Sequence, residues 1–411
     1  MSEFFDAAET RAQDQRDVAQ LGDLRDLLNW ARPAATALDR QLAGIDVASL
    51  TSRAALAQIP VLRKSDLLGM QGVAPPFANL TTCPPGMLKR LLVSPGPIHD
   101  PEGYAADWWG TGRAMFAAGF RKGDVVINTF SYHFTPGAFI MESGAHTLGC
   151  AVIPAGPGQT EMQVEAIAAF KPTGYAGTPD FLKIVLDKAE EMGKPAVSIK
   201  KAFVSGAAFP PSLQQTISAK GVEAYQAYAT ADLGIVAYES IARSGLIVNE
   251  GLIVEIVRPG TNDPVPDGEV GEIVVTRLNR DYPLLRFGTG DLSKVLDGQS
   301  PCGRTNRRLA GWLGRADQRT KVKGMFVDPA QINEVARRHP GLGRMRLIVT
   351  RENEQDMMTL RVESADLGGA LTEAIDASLR AATNLKGKVE LVSPGTLPND
   401  GKVISDERPV G

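Results

Sequence analysis

TLGCAVIPAGPGQTEMQVEAIAAFKPTGYAGTPDFLKIVLDKAEEMG, residues 147–193, decides the fold class. TLGCAVIPAG reads as a strand, Gln163–Phe170 as an amphipathic helix, and PTGYAGTP as a short strand and loop. Thr178 then stands at a helix cap and Pro179 at the first helical position, ahead of DFLKIVLDKAEEMG, which ends on Gly193. Strand and helix alternating at this spacing predict parallel βαβ units, hence an α/β fold.

The pattern extends both ways. GDVVINTF precedes it as a strand, and KAFVSGAAF, PPSLQQTISAKG and VEAYQAY follow as strand, helix and strand. The first 60 residues are helical in texture, with leucines at helical spacing in LGDLRDLLNWARPAATALDRQL, until IPVLRKSDL interrupts at Pro60. From Ser244 to Leu296 the texture becomes antiparallel: GLIVNEGLIVEIVRPG, DGEVGEIVVTRL and PLLRFGTGDLSKVL are β-rich runs joined by Gly, Asp and Pro turns. A compact tail follows with two helices (DPAQINEVARRH, GALTEAIDASLRAATN) and three strands (RMRLIVTR, MMTLRVES, KVELVSPG). That is enough to fold as a domain, so the expected division is 1–317 and 318–411, with the boundary near Asp317.

Composition narrows the function. Across 411 residues, 43% hydrophobic and 22% charged residues describe an ordinary globular protein, and a net charge of −3 without a basic block argues against nucleic acid as partner. No apolar stretch of about 18 residues exists to span a bilayer. The polar start, MSEFFDAAETRAQDQRDVAQ, reads as neither signal nor transit peptide, so the expected compartment is the cytoplasm. Three scattered cysteines, Cys83, Cys150 and Cys302, imply no disulfide framework.

Five short stretches carry the chemistry, each with a plain alternative. KRLLVSPGPIHDPEG (89–103) has the outline of a phosphate-binding turn, an apolar run leading into Ser94-Pro95-Gly96-Pro97 with the helical-looking Tyr104–Gly119 after it. YATADLG (Tyr228–Gly234) gathers an aromatic, a hydroxyl, a carboxylate and a glycine, or is a solvated loop. RFGTGD (Arg286–Asp291) offers a carboxylate suited to the two hydroxyls of a ribose, or is a hairpin turn. GRADQRTKVKG (Gly314–Gly324) is a hinge or a linker, and LPNDGK (Leu397–Lys402) projects a lysine from a tight turn.

The order of these motifs resembles the adenylate-forming superfamily of acyl-CoA synthetases, most closely the phenylacetate-CoA ligase family. AGFRKGDVVINTFSYHFTPG, GAHTLGCAVIPAGPGQTEMQVEAIAAFKPTGYAGTPDFL and KVKGMFVDPAQINEV are similar to that family's segments in the same order, over roughly residues 60–405. The resemblance implies a large N-terminal AMP- and acyl-binding domain, with βαβ units plus an antiparallel β region, and a small mobile C-terminal α+β lid. It implies two half-reactions. A carboxylic acid attacks the α-phosphate of ATP to give an acyl-adenylate, and coenzyme A then displaces AMP as a thioester.

By similarity, Asp291 binds ribose, while Ser205, Gly206, Ala207, Ala208 and Tyr228 frame adenine. Thr230 touches the α-phosphate, and Asp232 falls where relatives carry a magnesium-binding glutamate. Lys402 serves adenylation, Arg315 steadies the closed state, Asp317 is the hinge, and Lys321–Val327 swings in for the thioester step. Tyr132, His133, Phe134 and Gly144 lie where the family builds its acyl pocket; the aromatic residues and His133 make a ring-bearing acid the expected substrate. ATP, Mg²⁺ and coenzyme A are the implied cofactors, and the fold admits a homodimer.

Two departures stand out. Where the family has S-S-G-T-T-G-K-P, only Ser94 and Gly96 survive, Pro95 and Pro97 remove two amide donors, and His99 alone stands near the missing lysine. The approach to Lys402 is one residue short. Some relatives bind zinc through C-x-C-G-R; SPCGR keeps only Cys302, so no zinc is expected. Two classes remain: an ATP-dependent acid-CoA ligase with an atypical phosphate loop, or a non-catalytic AMP- and acyl-CoA-binding homologue with weak or absent ATP use. A nicotinamide dehydrogenase is excluded, because no G-x-G-x-x-G follows a strand.

Overall fold

The computed structural model describes residues 3–259, 261–316, 318, 320–323, 325–327, 329–352, 355–398 and 403–408, with Phe326, Ala330 and Asn333 by their backbone alone. Asp317 and Lys402 lie outside the described residues. The chain divides into two compact units, Met1–Leu313 and Gly314–Gly411.

A nine-stranded sheet organises the first unit. Its order is Val295–Leu296, Arg308–Leu309, Leu246–Val248, Gly234–Tyr238, Glu223–Thr230, Lys201–Val204, Gly174–Gly177, Val125–Asn128, Ala151–Pro154. The last five are parallel, as the alternation over 147–193 predicts. Side-chain alternation along these strands feeds two cores. Val126, Ala176 and Phe203 pack with Met115, Ile140 and Met141 of the helices Thr111–Ala117 and Gly137–Thr147. Ile127, Tyr175, Ala202 and Val204 pack with Val164, Leu182, Val185 and Ile217 of the helices on the other face. Each such side chain, fully buried, contributes about 1.5–3 kcal/mol.

At Thr230 the sheet reverses. Strand Glu223–Thr230 turns through Ala231–Leu233 into Gly234–Tyr238, its antiparallel neighbour. Gly234 has φ +75°, and a Cβ there would lie 2.4 Å from the Trp109 carbonyl oxygen, so only glycine lets the two backbones approach. A second sheet, Leu252–Val257, Gly271–Arg277 and Leu284–Ser293 antiparallel with Leu62–Arg63 parallel at its edge, rests on the N-terminal helices through Ile253 and Leu285. GLIVNEGLIVEIV thus serves both sheets, its halves diverging at Asn249–Gly251.

Residues 3–16 are stitched to distant segments. The buried Glu9 accepts from the Tyr238 hydroxyl (3.0 Å) and the Arg304 guanidinium (3.0 Å), and Arg16 pairs with Glu250 at 2.8 Å.

Three expectations need correction. Residues 89–103 form a hairpin, Arg90–Ser94 against Ile98–Glu102, with Pro95–Pro97 as its turn. The polar HDPE sequence is a strand because its partners are tertiary: Lys89 and Arg90 neutralise the buried Glu102, and the Gln71 amide bonds both backbone groups of His99. Helix occupies only Thr111–Ala117 of the stretch expected from Tyr104 to Gly119. Trp108 and Trp109 are buried side by side ahead of it, and the Asp107 carboxylate caps it by accepting from the amides of Thr111 (2.7 Å) and Gly112 (2.9 Å). Finally, RFGTGD is no turn but the middle of the ten-residue strand Leu284–Ser293.

The second unit has a sheet ordered Lys388–Val392, Gln355–Glu363, Met345–Glu352, Ile404–Asp406. Ile332, Val335, Ile375 and Leu379 of the helices Pro329–Arg338 and Gly369–Thr383 cover it. The strand Ile404–Asp406 adds to the elements expected.

Candidate functional site

Ser205, Tyr228, Thr230, Asp232 and Asp291 lie where the parallel sheet reverses. Tyr228, buried near the end of its strand, donates its hydroxyl to Asp291 Oδ2 at 2.7 Å, and the Trp312 indole donates to Asp291 Oδ1 at 3.0 Å. Asp291 is half-buried, so its carboxylate is oriented by two aromatic donors while remaining reachable. Thr289 adds order: its hydroxyl donates to the Ile273 carbonyl and accepts from the Asp291 amide. Arg286 of the same motif points away. It is fully buried and bonded to Glu255, to the Ile59 carbonyl (2.6 Å) and to the Asn262 carbonyl (2.9 Å), a structural task that the motif does not announce.

Ser205 donates to the Ala227 carbonyl at 2.8 Å, tying the loop to the strand of Tyr228 while Gly206, Ala207 and Ala208 stay exposed. Thr230 accepts from the Leu233 amide at 3.2 Å and so shapes the turn that carries Asp232.

Asp232 itself is buried. Its Oδ2 takes the Lys64 ammonium at 2.6 Å, and its carbonyl accepts from Arg277 at 2.9 Å. Asp100, from the hairpin, is also fully buried, and neither of its carboxylate oxygens nor Asp232 Oδ1 has a hydrogen-bonding partner. Burial, and then the charge of Asp232, push the Asp100 pKa up to about 7, against the Ser94 hydroxyl, Lys64 and Arg277. Burial opposes the Lys64 ammonium, but Asp232, then Asp100 and Asp291, outweigh it and hold its pKa above the ordinary lysine value. Burial draws Arg277 down to about 10; its guanidinium lies 3.7 Å over the Trp108 ring and also bonds the Trp108 carbonyl.

For magnesium, the donor set is sparse. No group of three or more His, Cys, Asp or Glu converges among the described residues. Asp232 has one uncommitted oxygen, which suits an ion carried mainly by phosphates and waters, as Mg²⁺ prefers. Cys302 lies beside the Ser300 hydroxyl (3.1 Å) and the Arg304 guanidinium (3.6 Å).

The expected acyl residues split. The Tyr132 hydroxyl accepts from Asn128 at 2.9 Å, and its ring meets Phe139 edge-on at 5.5 Å. His133 and Phe134 are exposed and stack edge-on at 4.6 Å. Gly144 stands at a helix contact. A Cβ there would fall 2.6 Å from Thr111 Cβ, so it is the contact that lets helices Gly137–Thr147 and Thr111–Ala117 touch. Ser94 is likewise turned inward, its hydroxyl donating to the Ile98 carbonyl across the hairpin at 3.4 Å, while Gly96 lies in the turn. In the second unit, the strand Thr320–Val322 pairs antiparallel with Met325–Val327, and Arg315 lies at the start of the unit.

Lys64, Asp100, Arg277 and Trp312 were not singled out from sequence. Only the missing lysine of the phosphate loop signals that a cation comes from elsewhere.

The family model described as "AMP-binding enzyme" matches residues 104–279, and "AMP-binding enzyme C-terminal domain" matches 324–408. A phenylacetate-coenzyme A ligase from Aromatoleum evansii is 30% identical over 395 residues, spanning 89% of this chain and 88% of its own length. One from Pseudomonas putida is 31% identical over 377 residues, spanning 87% and 84%. The crystal structure of a 2-hydroxyisobutyryl-CoA ligase with 2-HIB-AMP and CoA, in its thioesterification state, superposes with TM-score 0.74 at 26% identity, covering 100% of this chain and 93% of that one. No described helix is long and apolar enough to cross a membrane.

Proposed function

The chain belongs to the phenylacetate-coenzyme A ligase family of AMP-binding enzymes, and we propose that it acts there as an ATP-dependent, AMP-forming acid-coenzyme A ligase. The observation that carries the site assignment is Asp291, its carboxylate held by Tyr228 and Trp312 before any nucleoside arrives. Such preorganisation favours a vicinal diol, because the acceptors need not reorient on binding.

The substrate carboxylate attacks the α-phosphorus, the bond from that phosphorus to the α,β-bridging oxygen breaks, and pyrophosphate leaves with the electron pair. The coenzyme A thiolate then attacks the acyl carbon, and AMP leaves with the electron pair. Asp291 holds the ribose through both steps, while the loop Ser205–Ala208 and the strand of Tyr228 flank the base. Mg²⁺, when bound with ATP, shields the phosphate charge, and Asp232 Oδ1 is the oxygen that would face it. Lys402 serves the first half-reaction, with the second unit turning about Asp317 to bring Lys321–Val327 in for the second. Tyr132, Phe134 and His133 favour an aryl or aryl-acetic acid.

A second reading, a binding protein that keeps AMP but makes little adenylate, rests on the hairpin. Its turn is Pro95–Gly96–Pro97, two of whose residues lack amide donors, and Ser94 is committed to Ile98. Pyrophosphate release on a panel of aryl and short hydroxy acids, with and without coenzyme A, separates the two. Acid-dependent release supports the ligase, and tight AMP binding without release supports the alternative. Lys402→Ala should abolish adenylate formation yet leave thioester formation from supplied acyl-adenylate largely intact.

A further inference from the structure

The hairpin turn has no basic residue, yet a cation stands in the same cluster. Lys64 opens the helix Lys64–Val73 directly after Leu62–Arg63, which pairs with Phe287 and Gly288 on the strand that carries Asp291. Its ammonium lies 2.6 Å from Asp232 and within the fields of Asp100 and Asp291. The Lys64 side chain is 26% exposed, whereas that of Asp232 is fully covered. Lys64 is therefore the member of the cluster that reaches solvent. Arg277, the other cation, is spent on two backbone carbonyls and the Trp108 ring in full burial. Asp100, supplied by the hairpin strand that packs against the helix of Lys64, is fully buried and pairs with no cation among the described residues.

We propose that Lys64 is the cation that meets the nucleotide's phosphates, and that the buried Asp100 of the neighbouring strand is a specificity-determining residue that weakens the grip on a triphosphate. The inference rests on the reading of this site as a nucleotide site. An incoming phosphate competes with Asp232 for Lys64, and Asp100 adds a second negative charge that buried surroundings screen poorly. The penalty grows with ligand charge. It falls hardest on ATP, and least on AMP, whose nucleoside is held independently through Asp291. A carboxylate buried without an ion-pair partner is costly to keep, and its strand packs against the helix that Lys64 opens, which gives it a consequence for the ligand.

The test is calorimetry of AMP, and of ATP with excess magnesium, on the full chain at pH 8.5, above the Asp100 pKa of about 7. Asp100→Asn should tighten ATP about tenfold while moving AMP less than threefold. Lys64→Gln should weaken ATP at least tenfold, and Lys64→Arg should restore most of that loss. Asp100→Ser is the second variant should the amide disturb packing, read with circular dichroism to verify folding. Folded Asp100 variants that bind ATP no more tightly than the parent overturn the role of Asp100. Parent-like ATP binding by Lys64→Gln overturns that of Lys64. If the parent binds neither AMP nor ATP, the nucleotide-site reading itself falls, a result distinct from both.

Discussion

Replacing Arg286 with methionine separates structure from function inside the short stretch that also carries Asp291. The Arg286 guanidinium makes four hydrogen bonds in full burial, two to the Glu255 carboxylate and one each to the carbonyls of Ile59 and Asn262. Without it, Glu255 must stay charged and unpaired or take up a proton. Burial already raises the Glu255 pKa, and Arg286 is the chief influence that opposes the rise. Holding a carboxyl neutral at pH 7.5 instead of ionised costs on the order of 4 kcal/mol from reference pKa values. Two orphaned carbonyls add about 1 kcal/mol each at the low end. The buried methionine side chain returns about 1.5–3 kcal/mol. The net, about 3–4.5 kcal/mol, agrees with what breaking a buried ion pair from one side usually costs. The assay is the urea midpoint at constant m, with AMP affinity of the folded protein measured alongside. Arg286→Met should lower the midpoint strongly and leave AMP affinity within about twofold. The double variant Arg286→Met/Glu255→Leu should recover most of the loss, since no charge is then left alone. A double variant as unstable as the single, or a loss of AMP binding in protein that is still folded, would refute the reasoning.

Asp291→Ala should weaken AMP by roughly tenfold or more, since it removes a charge-assisted acceptor worth about 1.5–3 kcal/mol; unchanged affinity by calorimetry would remove Asp291 from the site. Asp100 also predicts a pH dependence of stability. Its folded pKa is raised to about 7 from 3.8, so the native state holds the proton more tightly than the unfolded chain, and the residue destabilises progressively as pH rises from about 4 to 7. The advantage of Asp100→Asn in urea midpoint should therefore be small at pH 5 and grow to a plateau above pH 7, whereas a constant offset would contradict the assignment. Gly144→Ala should cost about 1–3 kcal/mol, because its Cβ would meet Thr111 at 2.6 Å. If the variant instead keeps its stability and changes the preference among acids, Gly144 lines the acyl pocket after all.

Legibility followed the range of the interactions. The strands and helices of 147–193 were readable because apolar runs, a Thr-Pro start and a closing glycine are local signals. The order of motifs made the family legible. Ile98–Glu102 was not readable as a strand, since what makes it one, the cations at 89 and 90 and the amide of Gln71, is supplied by other segments. Trp108 and Trp109 mimicked helical spacing while packing against Arg277, far along the chain. Lys64 stayed hidden for the same reason. Its partner is 168 residues away, and nothing in RKSDL distinguishes a lysine bound to a buried aspartate from one in water.

The N-terminal stitching also has a temporal side. A ribosome presents Glu9 long before Arg304, its partner 295 residues further on, and Arg16 long before Glu250. At a synthesis rate of about 5–20 residues per second, roughly 15–60 s pass before the buried Glu9 can meet Arg304, with only the more distant Arg113, at 3.8 Å in the folded chain, made earlier. During that interval the opening helices can pair only with themselves or with whatever binds nascent chains. The large unit can close its first residues only once the segment around Arg304 has emerged, so early arrest of translation should yield fragments prone to capture or proteolysis, with no shorter native unit to fall back on.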